Sequence, residues 1–198
     1  MAYNTNAPFG LKPMSRSDGA PYTDSIRQYK IASGYATSIF TGDPVAALND
    51  GTIGIGVAGS TIRGVFMGCK YYDSLNVFKF SPYWPASTTV YTGTTVEALV
   101  LDDPNIIFTI QETDGSGTAG TPLALTDINL NANFRVGTGS TATGLSGASI
   151  NNATEAVTST LNLKIIGLDP YPGNAVGSYA NWLVMINNHD FRTGTSGV

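Results

Sequence analysis

Five carboxylates are the residues of this chain whose type best suits them to chemistry: Glu97, Asp102, Asp103, Glu112 and Asp114. Two carboxyls held at a set separation can cleave a glycosidic bond, one as acid and the other as base or nucleophile. Asp102-Asp103-Pro104 and Asp114-Gly115, however, have the composition of turns, in which an Asp side chain accepts from a backbone amide two residues on. A structural role is expected for these groups. No Asp-x-Asp-x-Asp-Gly loop is written, so the acidic turns give no signature of a calcium site. His189 is the single histidine and Cys69 the single cysteine, too few for a zinc site of three thiolate or imidazole ligands. A nucleophile–histidine pair would need His189 beside a serine, yet Ser116 and Ser146 lie outside any G-x-S-x-G strand-turn-helix context. His189 is expected at the surface or in a turn.

Gly54-Ile55-Gly56-Val57-Ala58-Gly59 has the spacing of a dinucleotide-binding loop, and Asp73 follows at a plausible distance. That chemistry needs a helix directly after the glycines, with its N-terminal amides facing the pyrophosphate. Here Ser60-Thr61-Ile62-Arg63-Gly64-Val65-Phe66 follows, which is β-branched and strand-like. A glycine-spaced strand is the better reading. Tyr71-Tyr72 and Tyr83-Trp84 could stack on sugars or anchor a protein interface, against the plainer role of strand and turn packing. Asn152-Ala153-Thr154 forms a glycosylation sequon, to which no function is attached in a chain without a legible secretory signal.

The elements that must position these residues read as short strands. Apolar–polar alternation runs through 28–32, 53–57, 61–67 and 76–80, and further strands read from 96–101, 105–111, 160–166 and 182–187, with Gly, Pro, Asn and Asp between the runs. Only 122–128 has the makings of a helical turn, and 137–147, rich in Gly, Thr and Ser, reads as a long loop. The expectation is a mainly β fold, a barrel or sandwich of short antiparallel strands with very little helix. Residues 1–25 are expected to form an extended N-terminal arm, and 26–198 one β-rich domain. In the arm Pro8, Gly10, Pro13, Gly19 and Pro21 break any regular period, while Phe9, Leu11 and Met14 supply apolar anchors. Phe9 and Leu11, held between Pro8 and Pro13, are expected to insert into apolar hollows of a neighbouring chain.

Composition narrows the partners. Among 198 residues only 12% are charged, about half the roughly 25% of ordinary domains, while 42% are hydrophobic. A net charge of −4 without a basic run argues against direct nucleic-acid binding, whose affinity comes mainly from neutralised phosphates. No apolar run approaches the ~18 residues of a membrane span. No signal peptide is legible at the N-terminus, so synthesis in a cytoplasm is expected. No cofactor and no catalytic set is expected; a neutral surface rich in Thr, Ser, Asn and Gly suits close packing against copies or partners.

Several stretches carry a family likeness. Asn6-Ala7-Pro8-Phe9-Gly10-Leu11-Lys12-Pro13 with Asp18-Gly19-Ala20-Pro21-Tyr22 resembles the start of a family of tailed-phage head proteins. Gly42-Asp43-Pro44-Val45, the run from Asp103 to Glu112, the run from Gly139 to Gly147, and that from Trp182 to His189 resemble the same family. The resemblance implies a capsid cement or decoration protein on the outer surface of the virion, clamping capsomers of a separate major capsid protein. It brings no catalytic motif; contacts with copies of itself, as a dimer or a trimer, are expected alongside it, since repeated weak contacts add up. A tail or baseplate component with possible host-glycan binding is the alternative, and a carbohydrate-active enzyme using paired carboxylates the third.

Overall fold

The computed structural model describes residues 4–22 and 25–192. Residues 1–3, 23 and 24, which the sequence assigns to the arm, lie outside the described residues. In chain order the strands are β1 (Lys12–Arg16), β2 (Ile26–Ile31), β3 (Ile39–Phe40), β4 (Pro44–Ala47), β5 (Ile53–Ile55), β6 (Gly64–Tyr72), β7 (Phe78–Ser81) and β8 (Tyr83–Trp84). There follow β9 (Val96–Leu101), β10 (Ile106–Thr113), β11 (Asn131–Ala132), β12 (Phe134–Arg135), β13 (Ser149–Asn151), β14 (Leu163–Leu168) and β15 (Asn181–Ile186). A single 3-10 turn, Leu125–Asp127, sits inside the segment expected to make a helical turn. The fold is mainly β, as the alternation predicts, with a barrel-like, nearly closed sheet among its sheets.

Two strands organise the rest. In the seven-stranded sheet, β10 takes β15 along one edge and, end to end along the other, β1 and then β13. In the six-stranded sheet, β6 likewise takes β9 on one edge and β4 followed by β7 on the other. Strands β3 and β8 form a small ladder of their own.

Each of the two larger sheets owns a core, and β6 and β9 serve both. Consecutive strand residues point to opposite faces. Val65 and Leu101 therefore enter the core of the seven-stranded sheet, with Phe108, Phe134, Trp182 and Val184. Their neighbours Phe66 and Val100 enter the second core, around Trp84 and Val96. The ladder between β6 and β9 slips by one residue at Phe66/Gly68. This bulge lets Phe66 and Cys69, three residues apart, face the same core. Gly68 sits there at φ +134, a conformation that side chains of L-residues rarely adopt.

The arm departs from expectation. Lys12–Arg16 is a strand, paired with β10 over Lys12↔Thr109 to Arg16↔Ile106. Leu11, predicted to fill a hollow of a neighbouring chain, is 1% exposed inside the core of its own chain. The reason lies in the backbone. The Leu11 amide donates to the Gly42 carbonyl (2.8 Å) and the Gly10 amide to that of Ala148 (3.0 Å). Gly10, at φ +79, brings the chain so near Gly42 and Ser146 that a Cβ would collide with both. Upstream, the buried Gln111 side chain accepts from the Ala7 amide (2.8 Å) and donates to the Thr5 carbonyl (3.0 Å). Pro8, Phe9 and Pro13 are left half-buried.

Removing the buried methyl groups of Leu11 leaves a cavity that the surrounding strands fill only partly. Leu11→Ala is expected to lower unfolding stability by about 2–5 kcal/mol in urea titration. Deleting residues 1–14 should destabilise the fold at least as much. An unchanged denaturation midpoint in both variants would show that the arm adds nothing to the fold.

Candidate functional site

The carboxylates of the sequence reading are dispersed among structural tasks. Glu97 pairs with Lys70 (2.7 Å) across β6 and β9. Asp102, at the end of β9, accepts from the Tyr29 hydroxyl and pairs with Arg27 (3.3 Å), while Asp103 pairs with Arg16 (2.7 Å) and accepts from the Asn105 amide. Asp114 closes the turn after β10 by accepting from the Ser116 and Thr118 amides (2.8 and 2.7 Å). Ser116 thus serves that turn through its backbone. Glu112 is fully buried, with one oxygen accepting from the Leu123 amide (2.8 Å). Burial pushes its carboxyl up to about 7, outweighing that amide and the nearby Trp182 and Asn152 side chains, which favour the charged form.

Asp43 was not singled out as a candidate by its residue type, yet it is 2% exposed. One of its oxygens accepts from the Phe40 amide (2.8 Å) and the other from the Ser146 hydroxyl. Ser146 in turn accepts from the Ala148 amide (2.8 Å). Burial raises the Asp43 carboxyl to about 6 despite these bonds. The pair ties the β3–β4 turn to the long loop and to the crossing of the arm; its signal in the sequence was Asp43 beside Gly42 in a turn. The loop 137–147 has no strand, and its glycines mark close crossings: a Cβ on Gly137 would run into the Gly147 carbonyl, and one on Gly139 into the Phe40 ring.

His189 corrects the expectation of an exposed residue. It lies in a bridge to Ile62 after β15 and is 0% exposed, with Nδ1 accepting from the Phe191 amide (3.1 Å). Burial, with Arg192 adding to it, lowers its pKa to about 4. Cys69 is buried as well, and burial pushes its thiol up to about 12. Among the described residues no three His, Cys, Asp or Glu gather as a metal-binding group would. The Gly54–Gly59 segment is strand β5 followed by a turn, and strand β6 comes next.

The aromatic pairs divide between core and surface. Trp84 is 0% exposed and meets the Tyr71 ring edge-on at 5.4 Å, so this pair offers no open groove to a sugar. Tyr83 stacks on Phe40 at 5.2 Å. Tyr72 faces outward, its ring against Phe78 at 5.4 Å, and begins a cluster of exposed apolar residues. This is the hairpin of β6 and β7, where Leu75, Val77, Phe78 and Phe80 stand exposed, Leu75 at 82% and Phe80 at 67%. Alternation in 76–80 revealed the strand but not that both of its faces lie in solvent. A second feature adjoins the arm. Phe9, Pro13 and Met14, with Met67, Leu145 and Tyr171, line a hollow of about 490 Å³, and Thr109 donates there to the buried Asp169 (2.6 Å).

No protein-family model, curated protein or solved structure matches the chain. Assignment of a function rests on these surfaces.

The pH dependence of stability follows from the buried acids. Glu112 holds its proton in the fold up to about 7, whereas unfolded it releases it near 4.5. Between these values the native state binds the extra proton, so this group makes stability fall as pH rises. Asp43 acts in the same direction up to about 6, and His189 in the opposite one between about 4 and 6.5. In a comparison of Glu112→Gln with the parent at each pH, stability should shift in favour of the variant as pH rises from 4.5 to 8. A constant difference across that range would show that Glu112 has an ordinary pKa.

Proposed function

We propose that this chain is a capsid cement protein, binding the outside of an icosahedral phage head and bridging capsomers of a major capsid protein. The observation that carries the reading is the exposed apolar hairpin of β6 and β7. A monomer rarely displays clustered rings and aliphatic side chains to water unless another surface covers them. The apolar hollow beside the arm adds a second feature of the kind that contacts between subunits use. The resemblance of five stretches to phage head proteins supports the same reading. So does the low surface charge, which suits extended neutral contacts repeated many times over a shell, where linked weak sites act at raised effective concentration.

Purified protein mixed with heads lacking it should co-sediment with them at a fixed ratio per capsomer. Decorated heads should then retain DNA to a higher temperature than bare ones. Failure to co-sediment with heads of the phage that encodes it would overturn the proposal.

A further inference from the structure

We infer that two copies of this chain pair through the outer edge of β7, antiparallel about a twofold axis centred on Lys79. The first ground is the free backbone. In the hairpin the Asp73 amide donates to the Val77 carbonyl (3.0 Å) across a turn in which Asn76 takes φ +60. Bonded and unbonded pairs alternate along an antiparallel ladder. Tyr71/Lys79 is therefore the next bonded pair. Phe78 and Phe80, opposite Tyr72 and Lys70, turn their amides and carbonyls to the outer edge. Among the described residues β7 pairs with β6 alone, so that edge has no strand partner.

The second ground is the side chains. The same two residues expose their rings, Phe78 by 53% and Phe80 by 67%. A twofold at Lys79 sets each Phe78 opposite the other copy's Phe80, in the geometry where facing residues exchange two hydrogen bonds. Directly paired residues share a face. Tyr72 stands beside Phe78, and the Tyr91 amide donates to the Tyr72 carbonyl (3.0 Å), so the aromatic row continues inward on each copy. At the axis the phenylalanines of both copies, two from each, gather on one face of the joined sheet.

Charge does little to oppose the register. The two lysines at the axis lie on the opposite face from the phenylalanines. Each is paired with its own Asp73 (3.5 Å), which offsets their mutual repulsion. Such an exposed apolar edge left bare would be a site of aggregation, and a closed pair removes it.

Sedimentation velocity of the isolated protein tests the pairing without heads, so its result is independent of whether the chain binds a capsid. The parent chain should sediment as a dimer at micromolar concentration. Phe78→Ser with Phe80→Ser should weaken the dimer at least about tenfold, with the circular dichroism spectrum unchanged. The register is tested separately in an otherwise natural chain. Lys79→Cys places two thiols across the axis at an unbonded pair, where Cα atoms approach to about 4.5 Å, within disulfide reach. It should oxidise readily to a covalent dimer, while Lys30→Cys, exposed on β2, should not. Cys69, buried in the core, does not compete. A monomeric parent chain, a dimer indifferent to the two serines, or cross-linking no better at 79 than at 30 would each overturn the inference.

Discussion

The rest of the structure depends on one constraint: β6 and β9 form a wall with a hydrophobic core on each side. A strand with one wet face needs apolar residues only at alternate positions. Here Val65 and Phe66 are both fully buried, as are Val100 and Leu101, and they feed opposite cores. Loss of either core would expose one side of the wall. That couples the two sheets without a helix to bridge them. The bulge at Gly68 is part of the device, because without the extra residue Cys69 would leave the core that Phe66 occupies.

The arm solves a similar problem for β10. The inner face of that strand carries Ile106, Phe108 and Ile110; on its outer face Thr109 and Gln111 are buried too. Polar groups buried there need partners. Asp169 meets Thr109, while the backbone at Thr5, Ala7 and Tyr179 meets Gln111. Segments distant in sequence come together around this strand. The arm pairs with β10, β10 with β15, and Gly10 and Leu11 bond to Ala148 and Gly42, which the Asp43–Ser146 pair holds in place.

Much of this architecture was legible in alternation. Strands β2, β9, β10 and β15 are each six to eight residues long, with a period of two or an unbroken apolar run, and the sequence placed them closely. The strands it missed, β1, β3, β4, β8, β11, β12 and β13, have two to five residues each, too few for a period to register. In β1 Pro13 also masked the pattern; a proline is tolerated there because β1 lies along the edge of β10 and is irregular between Pro13 and Ser15. Burial of polar groups was harder still to read. His189 and Asp43 look like exposed turn residues; their burial arises from segments more than a hundred positions away, as in the bridge of His189 to Ile62 and the contact of Asp43 with Ser146. The exposed hairpin shows the converse. Its alternating Phe78-Lys79-Phe80 reads as a strand with one face in a core, and only the topology reveals that no core lies beneath it.

That last point separates stability from function in this chain. Both cores are filled by their own strands, with Trp84, Trp182, Phe66, Phe108 and Phe134 all below 2% exposure. The charged groups are largely spent inside the chain, pairing with one another or holding turn amides in place of the helix caps a β fold lacks. Apart from the contact of Phe78 with the Tyr72 ring, the fold has little use for apolar side chains at Leu75, Phe78 or Phe80. Polar residues of β propensity, such as threonine, would keep the hairpin and spare the cost of wetting hydrocarbon. Apolar side chains placed where folding gains little from them fit the proposed pairing, in which a free strand edge meets the edge of a second copy.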